Sequence, residues 1–188
     1  MSEKGLSGLE FATGVPATIG GMVYMNFECW GNDVSSMVDS VYIYEKKNGF
    51  RWIKRQDYQV AYRWTSFHDF QCIILAVKLN TQPSTTNKVK EKMQQYLSER
   101  KEKQPVLKST FGSVFKNPLP QKAGELVDQL GLKGTTIGDA MISNHHANFF
   151  ENLDKATFED TFKLIKLIQN KVQTMYNIKL ECEVQMIQ

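Results

Sequence analysis

The chain has 188 residues, 23 Lys and Arg against 20 Asp and Glu, a formal net charge of +3 and 41% hydrophobic residues. That is enough apolar side chain for a packed core, in one domain or two small ones, and it excludes bulk disorder. A charge of +3 without a clustered basic stripe gives no reason to expect nucleic acid, and the absence of any run of about 18 apolar residues excludes a membrane-spanning helix.

The first residues, Met1-Ser2-Glu3-Lys4-Gly5, lack a basic stretch followed by an apolar one, so no signal peptide is expected. Cys29, Cys72 and Cys182 are odd in number and show no CxxC spacing. They read as reduced thiols of a cytoplasmic protein, not as a disulfide framework or a zinc site.

Six glycines fall within the first 31 residues: Gly5, Gly8, Gly14, Gly20, Gly21 and Gly31. The residues between them are apolar, unlike a flexible Gly/Ser linker. They mark either tight packed turns or a close approach of backbone to a ligand. Val41–Tyr44 and Phe50–Ile53 flank Asn48-Gly49, a hairpin signal in which both turn residues tolerate positive φ. Tyr58–Arg63 alternates at period two and reads as a further strand, and the nearly continuous apolar run Cys72–Leu79 as a buried central strand.

The polar stretch 80–87, with Pro83, is the candidate domain boundary. Val89, Met93, Tyr96 and Leu97 then recur at helical spacing on a charged segment ending near Lys103. Ala123, Leu126, Val127 and Leu130 predict a short helix stopped by Gly131. A longer helix opens with Thr157 as N-cap and Glu159 and Asp160 in its first turn, with Phe158, Phe162, Ile165, Ile168, Val172 and Met175 as its apolar stripe. Ile178, Leu180, Cys182, Val184 and Met186 alternate with polar residues as a terminal strand. Helices and strands mixed without strict βαβ alternation make the fold class α+β.

Walker, GxSxG, HExxH and GxGxxG motifs are all missing. His145-His146 suit a shared metal ion poorly, because neighbours on a strand face opposite ways; one solvent-facing and one packed histidine is the expectation. Ser113, beside Gly112 and between Phe111 and Phe115, is either a turn residue or a hydroxyl offered to a pocket, with Lys116 able to ease its loss of a proton. Arg63 is either a surface ion pair or a planar fork for a carboxylate or phosphate. Glu183 lies on the polar face of the terminal strand, where a carboxylate is ordinarily solvated.

In chain order, the segments resemble the UDP-N-acetylenolpyruvoylglucosamine reductases, flavoenzymes of bacterial peptidoglycan precursor synthesis. The resemblance rests on Gly5 to Asn26 with its Met25-Asn26 landmark, Tyr62-Arg63 followed by Thr65, Arg100 followed by Gln104-Pro105, and the serine loop Gly112–Pro118. Gly131-Leu132-Lys133-Gly134, Ser143 with His146–Phe149, and Leu180–Val184 complete the series. It implies an α+β chain in two parts. Residues 1–82 would be the C-terminal part of a two-lobed, PCMH-like FAD-binding domain, and residues 83–188 a small α+β domain for the UDP-sugar.

The implied reaction uses NADPH and FAD to reduce the enolpyruvyl double bond of UDP-N-acetylglucosamine enolpyruvate. Carried over by motif, Ser113 donates a proton, while Arg63 and Glu183 hold and polarise the substrate carboxyl, Glu183 in a protonated or shared-proton state. Arg100 contacts the diphosphate, Tyr62 shapes the substrate pocket, and Lys116 and Asn117 belong to the substrate-binding loop. Gly14, Thr18, Gly20, Gly21 and Asn26 line the flavin, mostly through backbone.

The sequence departs from the family pattern at Phe27-Glu28, where small residues are usual, at Asp139, where a second glycine is usual, and at Gln185, where an arginine is common. The resemblance also begins inside the family pattern. A separate flavin-domain segment is therefore an expected partner. The alternative to an enzyme is a non-catalytic UDP-sugar-binding module that works with such a segment.

Overall fold

The computed structural model describes residues Met1–Ile187. Two compact units divide the chain, Met1–Glu99 and Arg100–Gln188, each mixing helices and strands.

In the first unit β1 (Leu6–Ser7) leads through a 3-10 turn at Glu10–Ala12 to the short helix α1 (Ile19–Tyr24). Thr18 is its N-cap, and the Thr18 hydroxyl accepts from Gly21 N at 3.1 Å. Strands β2 (Glu28–Cys29) and β3 (Asn32–Asp33) form a hairpin closed by Trp30 and Gly31, both with positive φ (50° and 70°), the geometry of a two-residue primed turn.

Strands β4 (Val38–Glu45) and β5 (Gly49–Lys54) pair in register from Ser40↔Lys54 to Glu45↔Gly49. The hairpin expected at Asn48-Gly49 is present. Its loop is residues 46–48, and Gly49, the first residue of the returning strand, carries the positive φ (+69°). Strands β6 (Val60–Ala61) and β7 (Trp64–Thr65) flank the two-residue turn Tyr62-Arg63. The strand expected over Tyr58–Arg63 is therefore only two residues long, because Arg63 adopts φ +53° and reverses the chain.

Strand β8 (Cys72–Leu79) corrects a second expectation: the sheet order is β5-β4-β8, so β4 is central and β8 an edge. A continuous apolar run does not say which face of a strand is covered. Here Ile74 and Val77 pack inward with Val41 and Ile43, while Ile73 is 61% exposed. Ile73 shares the open face with its ladder partner Tyr44, with Phe50, which pairs with Tyr44 from the other side, and with the Tyr42–Trp52 pair, whose ring centroids lie 5.1 Å apart.

The polar stretch 80–87 contains β9 (Gln82–Pro83), which pairs antiparallel with β1 as Leu6↔Pro83 and Ser7↔Gln82. The same stretch holds the start of α2 (Thr86–Lys103), so it is ordered structure and not a free linker.

In the second unit α3 (Ala123–Gln129) ends as expected, with Leu130 as C-cap and Gly131 next at φ +65°. Strands β10 (Thr136–Ile137), β11 (Ala140–Ile142) and β12 (Phe150–Asn152) form an antiparallel sheet. Helix α4 (Phe158–Tyr176) packs on β10, β11 and α3. Its N-cap is Thr157 in a capping box with Asp160, as the sequence indicated.

Along the helix, Leu164, Ile165, Ile168 and Val172 are buried, whereas Phe158 (59% exposed) and Met175 (66%) fall off the expected stripe at either end. The terminal strand is also corrected. After Asn177, in the left-handed conformation at φ 56°, the chain runs extended and pairs only by a bridge, Phe115↔Cys182. Leu180 alone of its alternating apolar residues is fully buried. None of the three cysteines is in a disulfide, and no helix among the described residues is long and apolar enough to cross a membrane.

Candidate functional site

In the second unit, Gly112 turns the chain at φ +88° and delivers Ser113 into a bridge with Phe149. Val114 N donates to Asn148 O at 2.9 Å on one side, and Val114 O accepts from Glu183 N at 2.8 Å on the other. Ser113 and Glu183 therefore lie on segments joined at Val114, a residue with no solvent exposure. Both side chains are half-buried. Lys116 N donates to Glu181 O at 2.9 Å, and Lys116 Nζ approaches Glu181 Oε2 at 3.6 Å, an exposed pair of small energetic weight.

The loop is held by buried polar groups, two of which, Ser143 and Asn148, entered the sequence analysis only as landmarks of the resemblance. Asn148 Oδ1 accepts from Phe115 N at 2.9 Å, and its Nδ2 donates to Phe115 O at 2.8 Å, so one buried amide satisfies both backbone groups of a buried phenylalanine. Ser143 Oγ donates to Glu151 Oε1 at 2.6 Å and accepts from His145 N at 3.1 Å. The available signal was polarity inside an apolar run, since Asn148 among Ala147, Phe149 and Phe150 needs partners wherever it is buried.

Asn117 Oδ1 accepts from Ala123 N at 3.0 Å at the start of α3, a structural duty beside the substrate role implied for it. Arg100 is buried in the last turn of α2, with Nη1 donating to Gln104 Oε1 at 3.0 Å.

His145 and His146 sit in a loop, not on a strand, although one is exposed and the other mostly packed as expected. Burial pushes the His146 imidazole pKa down, and its Nδ1 accepts from Asn148 N at 3.1 Å. Both favour the neutral ring. No cluster of metal-ligating side chains occurs among the described residues. The unexpected Asp139 closes the β10–β11 turn, where its carboxylate accepts from Lys155 N at 3.1 Å.

Two clefts open on this unit. One, of about 470 Å³, is apolar and lined by Phe111, Phe158, Phe162, Ile165 and Val184 among others. The other, of about 250 Å³, includes Ser109, Thr110 and Glu151. Neither is lined by Ser113 or Glu183, so neither marks the chemistry assigned to them.

In the first unit, Asn26 terminates α1 with φ 44° and is 7% exposed. Its Nδ2 donates to Ala61 O at 3.0 Å, while its Oδ1 is buried with no hydrogen-bond partner. An orphaned buried acceptor costs about 1–3 kcal/mol, so this position fits a ligand that brings an N–H. Gly14, Thr18 and Gly21 are exposed around the start of α1, leaving their backbone approachable. Gly20 faces Ile74, which a Cβ would meet at an ordinary 3.6 Å, so its backbone does not require glycine there.

The Tyr62-Arg63 turn is tied to the same region. Thr65, 1% exposed, donates its hydroxyl to Tyr24 O at 2.8 Å, and Arg63 Nη1 donates to Glu28 O at 3.2 Å. The Arg63 guanidinium carbon is 5.0 Å from the Tyr62 ring centroid and 6.0 Å from that of Phe27. Phe27, a departure from the expected small residue, stacks on Phe11 at 5.9 Å.

The second unit is thus an α+β domain in which a serine-bearing turn and a carboxylate-bearing extended segment are joined through backbone pairing. Residues 104–187 match the family model described as UDP-N-acetylenolpyruvoylglucosamine reductase, C-terminal domain. Residues 104–187 therefore match that family's C-terminal domain, and the chain as a whole is similar to the family's members.

It is 38% identical over its whole length to the UDP-N-acetylenolpyruvoylglucosamine reductase of Bacillus pumilus, covering 62% of that protein. It is 37% identical, over 98% of its own length and 65% of the other, to that of Thermotoga petrophila. The crystal structure of the reductase from Thermus caldophilus superposes with a TM-score of 0.85 at 31% identity, over 98% of this chain and 65% of that one. The chain thus spans under two thirds of the length of these relatives.

Proposed function

We propose that this chain takes part in the FAD-dependent, NADPH-consuming reduction of UDP-N-acetylglucosamine enolpyruvate to UDP-N-acetylmuramate, a step of peptidoglycan precursor synthesis. The observation that carries this reading is the pairing of Glu183 N with Val114 O, which brings the backbone of the carboxylate-bearing residue beside the residue that follows Ser113. Residues 1–82 act as the C-terminal part of the FAD-binding domain, and residues 83–188 bind the UDP-sugar.

FAD, when bound, supplies a hydride that it takes from NADPH. Asn26, through its unpartnered Oδ1, and the backbone at Gly14, Thr18, Gly20 and Gly21 are the groups that would hold it. Addition of hydride to the double bond moves negative charge toward the substrate carboxyl. Arg63 binds that carboxyl and stabilises the charge as it develops, and Glu183 holds it by sharing a proton with it. Ser113 hands its hydroxyl proton to the alkene carbon that does not take the hydride, the one bearing the carboxyl, with Lys116 three residues further on as a cation of the same loop. Arg100 binds the diphosphate, and Tyr62 and Asn117 shape the substrate pocket.

A second reading, a UDP-sugar-binding module that needs a separate flavin-domain segment, is favoured by the exposed apolar face around Phe50, Trp52 and Ile73 and by the open edge of β8. NADPH oxidation on addition of the enolpyruvyl sugar, with FAD and with or without an added flavin-domain segment, separates the two. Turnover by the chain with FAD alone supports the enzyme. A colourless protein that binds the UDP-sugar and turns over only with the segment supports the module. Failure to bind the sugar under either condition defeats both.

A further inference from the structure

We propose that Phe27 is a positioning residue for Arg63, holding its guanidinium against an aromatic face so that the edge is presented to an anion. This rests on the reading of Arg63 as the cation for the substrate carboxyl.

Phe27 is well anchored. Its N–H donates to Met22 O at 2.8 Å and its carbonyl accepts from Val34 N at 2.9 Å, which fixes the backbone between α1 and the β3 hairpin. Its ring lies nearly parallel to that of Phe11, at an interplanar angle of 7°, and Phe11 is buried in the core. The ring therefore has a fixed place before any arginine is added.

Arg63 arrives there at some conformational cost. A non-glycine residue at φ +53° is uncommon, and the neighbouring turn residue brings its own ring to 5.0 Å from the guanidinium carbon. The second ring, Phe27, stands at 6.0 Å, and Nη1 donates to Glu28 O, the carbonyl of the next residue in the chain. Three contacts from two segments thus act on one long, otherwise flexible side chain. Aromatic faces attract the guanidinium by its plane, and a guanidinium stacked by its plane recognises carboxylates through its in-plane N–H groups. The left-handed backbone at Arg63 is then the price of aiming the head group, with Phe27 as the wall it is aimed along.

The test uses the whole chain and two measurements. In the first, the side-chain NMR signals of Arg63 are identified by their loss in Arg63→Lys. Ring-current displacement of the Cδ protons to high field is expected in the wild type, reduced in Phe27→Leu and restored in Phe27→Tyr. In the second, affinities are measured for UDP-N-acetylglucosamine enolpyruvate and for UDP-N-acetylglucosamine, which lacks the carboxylate. Phe27→Leu is expected to narrow the preference for the carboxylate-bearing sugar about two- to five-fold, with Phe27→Tyr close to wild type and affinity for the plain sugar unchanged.

Undisplaced Arg63 signals in the wild type, or a displacement that survives Phe27→Leu, overturn the clamp. A preference that Arg63→Lys abolishes and Phe27→Leu leaves intact overturns the positioning role. A preference absent in the wild type, or indifferent to Arg63→Lys, defeats the assignment of Arg63 to the carboxyl, while the NMR result still decides whether Phe27 holds the side chain.

Discussion

Glu183 is fastened to Val114: its backbone N–H donates to the Val114 carbonyl at 2.8 Å, and Val184 N reaches the same oxygen at 3.4 Å. Residues 69 positions apart in sequence are thereby held within one backbone contact.

Replacing Ser113 by alanine is expected to slow reduction of the enolpyruvyl sugar by roughly 10²- to 10⁴-fold with little change in thermal stability, because Ser113 is only half-buried and it is its backbone that bridges to Phe149. Single-turnover flavin reoxidation reads the chemical step directly. An unchanged rate there removes the proton-donor role.

Asn148→Ala leaves the N–H and C=O of Phe115 without the side-chain amide that serves them both. At about 1–3 kcal/mol for each stranded buried group, the unfolding free energy should fall by roughly 2–6 kcal/mol. Urea denaturation measures it. Because the same loop carries Ser113, activity should fall further than stability alone explains, and a variant that unfolds normally would show that the amide is not a strut.

The start of α4 supplies a pH-dependent term. Thr157 N donates to Asp160 Oδ2 at 2.9 Å, and Asp160 N donates to Thr157 Oγ1 at 3.1 Å. The backbone bond from Thr157, with its side-chain bond second, holds the Asp160 carboxyl below the usual aspartate range. A carboxyl whose value is lower folded than unfolded contributes stability above its unfolded value and loses it as pH falls through the folded one. Acidification below about pH 4 should therefore weaken the wild type more than Asp160→Asn, and melting temperatures across that range compare the two. Thr157→Ala should cost about 1 kcal/mol at neutral pH.

Gly138 and Gly31 both have positive φ, 53° and 70°, but differ in what surrounds them. A Cβ on Gly31 meets nothing within 4 Å, whereas on Gly138 it would stand 2.5 Å from the Asp160 carboxylate. Alanine in the left-handed region costs roughly 1–2 kcal/mol, which is all that Gly31→Ala should lose. Gly138→Ala must also displace Asp160 from its capping box, so its loss should be larger and should shrink when made together with Asp160→Ala. Equal losses for the two glycines would show that the carboxylate yields freely.

The sequence by itself settled the parts of this protein whose physics is local. The Gly49 hairpin, the Thr157 cap, the Gly131 stop and the α+β mixture follow from backbone conformations and from hydrogen bonds spanning a few residues, and the ordered motifs pointed to the family. What lay beyond it depended on which surfaces meet. An apolar run such as Cys72–Leu79 looks the same at a sheet centre and at an edge, and only the β5-β4-β8 order exposes Ile73. Alternation at Ile178–Met186 is compatible with a strand, yet a strand needs a continuous partner, and the chain offers one bridge at Cys182. The duties of Asn148, and the placing of Phe27 beside Arg63, arise from contacts across more than thirty residues, which no local pattern encodes.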